Sequence, residues 1–250
     1  MTTRNGTAVR LDHVSKAFGT FTVLDDVTME IARGIGFGIL GRSGTGKSVM
    51  LKHMVGLLKP DTGRVIVEGE DITHMTSGQL TPVRKRIGFL FQNAALFDSI
   101  TVGENVAFPM RRHTEMSDEE IRTRAQQKLA SVGLEKDFEK MPADLSGGMR
   151  KRAGLARAMA LDPSILLADE PSAGLDPITS AEIDALLVDL KRQGSTTLIA
   201  VTHNIPSARR IADELVFLHQ GTILVQGTAA ELDRSNDPLV KEFMRSEGAG

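Results

Sequence analysis

Eight residues, GRSGTGKS from Gly41 to Ser48, constrain this chain more than any other stretch. They satisfy the spacing GxxxxGK[ST], which works only as a tight turn between a buried strand and the start of a helix. Gly41, Gly44 and Gly46 let the backbone bring its N–H groups close to phosphate oxygens without a Cβ in the way, so Arg42, Ser43 and Thr45 join them in the wall of the cradle. Lys47 is then placed to reach the β- and γ-phosphates of a nucleotide, and the Ser48 hydroxyl to ligate Mg²⁺, with Val49 next on the helix. The flanks agree. IGFGIL ahead of the turn reads as a buried apolar strand, and SVMLKHMVGLL after it carries apolar residues at helical spacing. That context aims a helix N-terminus at the anion.

A second acidic element matches the first. ILLADEP is an apolar run ending in Asp169 and Glu170, which puts both carboxylates at the C-terminal end of a buried strand, where open α/β sheets bind ligands. Asp169 fits a magnesium-associated aspartate, and Glu170 is placed to polarise a water for attack on a γ-phosphate. Alone, the pair reads equally well as a strand-end turn closed by Pro171.

Together with LSGGM, from Leu145 to Met149, these stretches resemble the ATP-binding cassette (ABC) family along nearly the whole chain. The resemblance supplies the order of elements: Walker A at Gly41–Ser48, a Q-loop glutamine at Gln92, the signature at 145–149, Walker B ending at Asp169, a D-loop SAGLD ending at Asp176, and a switch histidine, His203, in VTHN. Met149 stands where the family usually has glutamine. The resemblance implies a P-loop (RecA-like) α/β core with an antiparallel β subdomain and an inserted α-helical subdomain. The core with its β subdomain is expected at 8–92 and 163–228, the helical subdomain at 93–162, and a C-terminal tail at 229–250. Phe18, in KAFGT, occupies the place of the aromatic that stacks on adenine; its alternative is a buried edge-strand phenylalanine.

The pattern along the chain fits this plan. VRLDHV and TVLDDVTMEI alternate as half-exposed strands, and RVIVEGEDI adds another before a turn at Gly69. SDEEIRTRAQQKLASVGL opens with a capping box, Ser117 with Glu120, and runs as a helix toward Gly133. GGMRKRAGLARAMAL continues the helical region, while TTLIAVTH and ELVFLH read as strands of a parallel sheet.

In the family, cradle and signature of one chain lie far apart, so the resemblance implies a head-to-tail homodimer with two ATP molecules buried between the chains. Lys47, Ser48, Gln92, Asp169, Glu170 and His203 of one chain would meet Ser146, Gly147 and Gly148 of the other, with Gln92 also at the Mg²⁺. A single cassette implies an ABC permease as a separate membrane subunit, docking near residues 93–112. The wording GRSGTGKSVMLKHMVGLLKPDTG, LFQNAALFDSITVGENVAFP and LSGGMRKRAGLARAMALDP is similar to the Mla/MCE-associated branch, which moves phospholipids between membranes; Met149 fits that branch. The branch implies an MCE-domain substrate-binding protein as a further partner, and a C-terminal NDPLVKEFMRS tail that assists pairing. An importer ATPase for a polar solute, such as an amino acid, is the nearest alternative.

Composition sets outer limits. At 250 residues with 41% hydrophobic and 25% charged, the chain can bury a substantial core. No secretory signal precedes the first strand and no run approaches a membrane span, so a peripheral protein at the cytoplasmic face of the inner membrane is expected. A net charge of −2 argues against nucleic acid as a partner. Zero cysteines exclude disulfides and thiolate metal sites. The basic clusters Arg84–Arg86, Arg111–Arg112 and Arg150–Arg152 read most simply as solvated faces, or as contacts to a partner or to anionic headgroups.

Overall fold

The alternating runs at the start of the chain form two long antiparallel strands, β1 (Thr7–Phe18) and β2 (Phe21–Ala32). In the computed structural model, which describes residues 6–194 and 196–245, Val9, Leu11 and Val14 of β1 and Leu24, Val27, Met29 and Ile31 of β2 are buried. Strand β3 (Gly36–Leu40) is buried at every position, as a continuous apolar run requires. It leads through the glycine-rich turn into α1 (Lys47–Met54). The sequence pattern would carry that helix on to Leu58, but it stops earlier. Gly56, at φ 66°, closes it with Leu57 N–H donating to Lys52 O at 2.8 Å and Gly56 N–H to His53 O at 3.0 Å, a Schellman ending.

Strands β4 (Thr62–Val67) and β5 (Glu70–Asp71) complete a four-stranded antiparallel sheet in the order β2-β1-β4-β5. Helix α2 (Ser77–Lys85) and strand β6 (Ile87–Leu90) follow, then α3 (Val102–His113), α4 (Asp118–Ala130) and α5 (Gly147–Ala158). Capping boxes fix the starts of α2, α3 and α4 at Thr76, Thr101 and Ser117, the last with Glu120 as read from the sequence. The chain then alternates: β7 (Ile165–Asp169), α6 (Pro177–Gly194), β8 (Thr197–Thr202), α7 (Ile205–Ile211), β9 (Glu214–His219), β10 (Thr222–Gly227), α8 (Ala229–Asp233) and α9 (Pro238–Arg245).

The second sheet runs β10-β9-β3-β8-β7-β6, parallel except for β10. This order decides where the chemistry sits. Strands β3, β8, β7 and β6 lie side by side and point the same way, so the loops after them open along one edge. Three apolar clusters hold the layers. One joins the antiparallel sheet to α1 and one face of the parallel sheet; a second joins α3, α4 and α5 to the other face and to Ile183 and Leu187 of α6. The third lies beneath the C-terminal helices, where Val240, Phe243 and Met244 of α9 pack with Leu40, Ile205 and Phe217. Residues 229–245 are thus two helices seated on their own chain; the remainder of the expected tail, 246–250, lies outside the described residues.

Candidate active site

Gly46 caps α1 at φ 104°, so the helix begins on the last glycine of the cradle. The Lys47 ammonium is only 6% exposed and folds back over the loop, donating to Gly41 O at 2.8 Å and Arg42 O at 3.0 Å. Burial pulls its pKa down, while the charges of Glu170 and Asp169 oppose that shift. The Arg42 side chain turns away from the loop and pairs with Glu242 of α9 at 2.8 Å. Thr45 Oγ1 donates to Arg42 O at 2.9 Å and braces the turn.

The four parallel strands deliver the remaining groups. Ser48 Oγ, at the start of α1, donates to Asp169 Oδ1 at 2.9 Å across the edge of the sheet. Burial raises the Asp169 pKa, the Ser48 hydrogen bond opposes this, and the neighbouring Glu170 charge adds to it. Glu170 stands one residue past β7 at φ 48°, with its N–H donating to Val201 O at 2.9 Å. Its Oε1 lies 2.9 Å from His203 Nδ1 and 3.9 Å from Lys47 Nζ. One ammonium, one imidazole and two carboxylates therefore share one small space.

A cavity of about 410 Å³ lies over this edge. Phe18, Ser43, Gly44, Gly46, Lys47, Ser48, Val49, Gln92, Glu170 and His203 line it, so most of the residues singled out in the sequence meet there. Phe18 is half exposed at the end of β1, with the Lys16 ammonium 5.6 Å from its ring centroid, and Val23 of β2 joins the same wall. Gly41, Arg42 and Thr45 shape the loop from behind without lining the cavity. The groups present suit a nucleotide with Mg²⁺. Ser48 Oγ and the Asp169 carboxylate, 2.9 Å apart, are the hydroxyl and carboxylate that would hold such an ion beside the phosphates.

Ser146, Gly147 and Gly148 line no part of that cavity. Ser146 caps α5, its Oγ accepting from Met149 N–H at 3.2 Å, and Gly147 opens into a separate cavity of about 350 Å³ that Gln92 also borders. Asp176 caps α6: its carboxylate accepts from Thr179 Oγ1 at 2.5 Å and from the N–H groups of Thr179 and Ile178, each at 3.0 Å, and these bonds, the hydroxyl's foremost, hold its pKa low. Within one chain it does not reach the cradle.

Four residues escaped the sequence reading. Lys151, inside a cluster read as a solvated face, is 6% exposed, and its Nζ donates to the backbone oxygen of Glu170 at 3.0 Å. Its place on α5 gave a signal, since Gly148, Lys151 and Leu155 share one helix face and all three are buried. Arg84 and Arg150 likewise spend their guanidinium groups on backbone oxygens, of Val55 and Gly56 and of Leu145. Arg157 holds the oxygens of Ala94 and Ala95, both at positive φ, with two 2.7 Å bonds, and so anchors the loop that follows Gln92.

Known proteins are similar to this chain in sequence and fold. The family model described as "ABC transporter" matches residues 24–173. The mkl protein of Mycobacterium tuberculosis, a "probable ribonucleotide transport ATP-binding protein", is 42% identical over 98% of this chain and 68% of its own length. The intermembrane phospholipid transport system ATP-binding protein MlaF of Escherichia coli is 37% identical over 94% of this chain and 88% of its own. Among solved structures, the dimeric ATP-binding cassette MJ0796 bound to ADP and Pi superposes with a TM-score of 0.82 at 35% identity, covering 88% of this chain and 98% of that one. With the cradle, the paired acids and the histidine assembled on one sheet edge, the chain belongs to the ABC transporter family and is an ATP-hydrolysing subunit of that family.

Proposed function

We propose that this ATPase energises phospholipid movement through a separate permease, in a system like that of MlaF. The observation that carries this reading is likeness over nearly the whole chain to a phospholipid-transport ATP-binding protein, 37% identical across 94% of the residues. In the proposed cycle the phosphates of ATP lie on Ser43–Ser48, and Lys47 leaves its two backbone acceptors for the β- and γ-phosphates. Ser48, Asp169 and Gln92 would hold Mg²⁺, which when bound would neutralise phosphate charge. Phe18 stacks on the base. Glu170 polarises the attacking water, and His203, bonded to its Oε1, keeps that carboxylate aimed and faces the γ-phosphate.

Ser146, Gly147 and Gly148 close the nucleotide site of a second copy, since in their own chain none of them lines the nucleotide cavity and Gly147 borders a different one. The assembly is a two-fold homodimer, with Asp176 at the seam. The permease docks in a groove of about 510 Å³ beside the loop that follows Gln92. Phe91, Phe97 and Phe108 are partly exposed there, and Arg84, Lys85 and His113 line it too. Among the described residues no helix is long and apolar enough to cross a membrane. The proposed place is peripheral, on the permease at the cytoplasmic face. An MCE-domain protein is the proposed third component.

The test is reconstitution with the membrane protein that co-purifies, in liposomes carrying a fluorescent phospholipid. ATP-dependent lipid transfer, lost with Glu170→Gln while ATP still binds, is the expected result. The name of the mkl relative, a ribonucleotide transport ATP-binding protein, favours a second reading, a polar-solute transporter. Transfer of a ribonucleotide or amino acid with no lipid movement would establish that reading instead.

A further inference from the structure

Helix α5 begins with residues assigned above to the partner's nucleotide, yet one turn later it reaches into its own chain. Lys151 lies between α5 and the end of β7, 6% exposed, and its ammonium donates at 3.0 Å to the backbone oxygen of Glu170. Burial lowers its pKa, and the charges of Glu170 and Asp169 work against that loss of charge. An ammonium in such a place costs solvation that an apolar side chain of similar length would not. What the lysine supplies is a donor, directed at one carbonyl.

That carbonyl belongs to a residue in an unusual conformation. Glu170 sits at φ 48°, a region that non-glycine residues seldom hold unless their surroundings impose it. Its N–H is fixed on Val201 O at 2.9 Å, and its carboxylate on His203 Nδ1 at 2.9 Å. Its backbone oxygen has two donors, Lys151 Nζ at 3.0 Å and Ala173 N–H at 3.2 Å. The second of these closes a turn within the same loop and moves with it. Lys151 is the donor that ties the peptide after Glu170 to a separate element. Without it the peptide can rotate, φ can relax to negative values, and the Cα–Cβ bond swings the carboxylate off the line from His203 to the cradle.

We infer that Lys151 is a positioning residue for ATP hydrolysis, holding the Glu170 peptide so that its carboxylate faces the attacking water. The inference rests on Glu170 as the water-polarising base. It also makes α5 a two-ended element: its first residues meet one nucleotide, and its second turn sets the acid that acts on the other.

Lys151→Met and Lys151→Gln in the full-length chain, assayed for turnover, KM, melting temperature and binding of a fluorescent ATP analogue, test this. Methionine fills the space without a donor; glutamine keeps a donor without the charge. Lys151→Met should melt within a few degrees of the parent, bind the analogue within about twofold, and lose roughly tenfold or more in kcat with KM little changed. Lys151→Gln should recover kcat to within about threefold of the parent. Parent-like kcat in Lys151→Met overturns the inference, as does equal loss in both variants. An unfolded Lys151→Met does so too, since the lysine would then serve stability. Glu170→Gln, measured beside them, separates the two claims. Full turnover there removes the base assignment itself, whereas an inactive Glu170→Gln beside an active Lys151→Met removes only the role of Lys151.

Discussion

Replacing Gly46 with alanine, and Gly44 with alanine beside it, probes how tightly the β1–β2 hairpin presses on the phosphate loop. Both glycines have positive φ, 104° and 81°, so either substitution places an L-residue where its Cβ is strained. That alone costs about 1–2 kcal/mol. The surroundings differ. A Cβ at Gly44 meets nothing within 4 Å, whereas one at Gly46 falls 2.7 Å from Val23 O and 3.0 Å from Leu24 Cδ2. Val23 O is backbone in a paired strand, so relieving the overlap moves β2 or the loop, adding about 1–3 kcal/mol. In a domain of this size each kcal/mol shifts the melting temperature by roughly 2–4 °C. Gly44→Ala should therefore melt about 2–8 °C below the parent, and Gly46→Ala about 4–20 °C below it, always the lower of the two. Thermal unfolding followed by circular dichroism, without nucleotide and at one scan rate, reads both. Equal melting temperatures would refute the argument that Val23 walls the loop. Gly44→Ala should still lose ATP affinity, because its methyl projects into open space at a residue that lines the cavity.

Asp169→Asn should abolish hydrolysis yet raise the melting temperature of the nucleotide-free protein by about 1 kcal/mol equivalent, because it removes a buried charge. The sign follows from linkage. A carboxyl whose pKa is raised on folding favours the folded state below its unfolded value of 3.8, and that advantage is lost as pH rises through the raised value. The gain in Asp169→Asn should thus shrink as the buffer is taken down toward pH 4, which a pH series of melts checks. Phe243→Ala removes a ring 4.8 Å from that of Phe217 and should destabilise by about 3 kcal/mol. Glu242→Ala breaks only an exposed pair with Arg42 and should leave the melting temperature within about 2 °C.

The site was largely legible because its chemistry is written in short contiguous runs. GRSGTGKS dictates a loop by itself, and ILLADEP places its acids by strand length alone. Their meeting was not legible from spacing, since it depends on β8 lying between β3 and β7. The end of α1 was misjudged because Val55, Leu57 and Leu58 keep the helical apolar pattern beyond a glycine that closes the helix. Lys151 was misjudged for a related reason. Charge in a run of RKR signals solvent on average, but burial on a helix is decided by face, and the middle residue faces inward. Asp176 shows the opposite limit, a motif residue whose visible role in one chain is to cap its own helix.

The strand order also governs when the chain becomes an enzyme during its synthesis. The cradle follows β3 at position 41 and the acids follow β7 at position 169, but the strand that pairs with both, β8, comes only at residues 197–202. A nascent chain emerging from its N-terminus therefore carries a finished phosphate loop and both carboxylates well before they can be brought to one edge. Nucleotide bound at the completed edge stabilises the folded chain by mass action. A chain that ends before β8 lacks the strand that sets cradle and acids side by side.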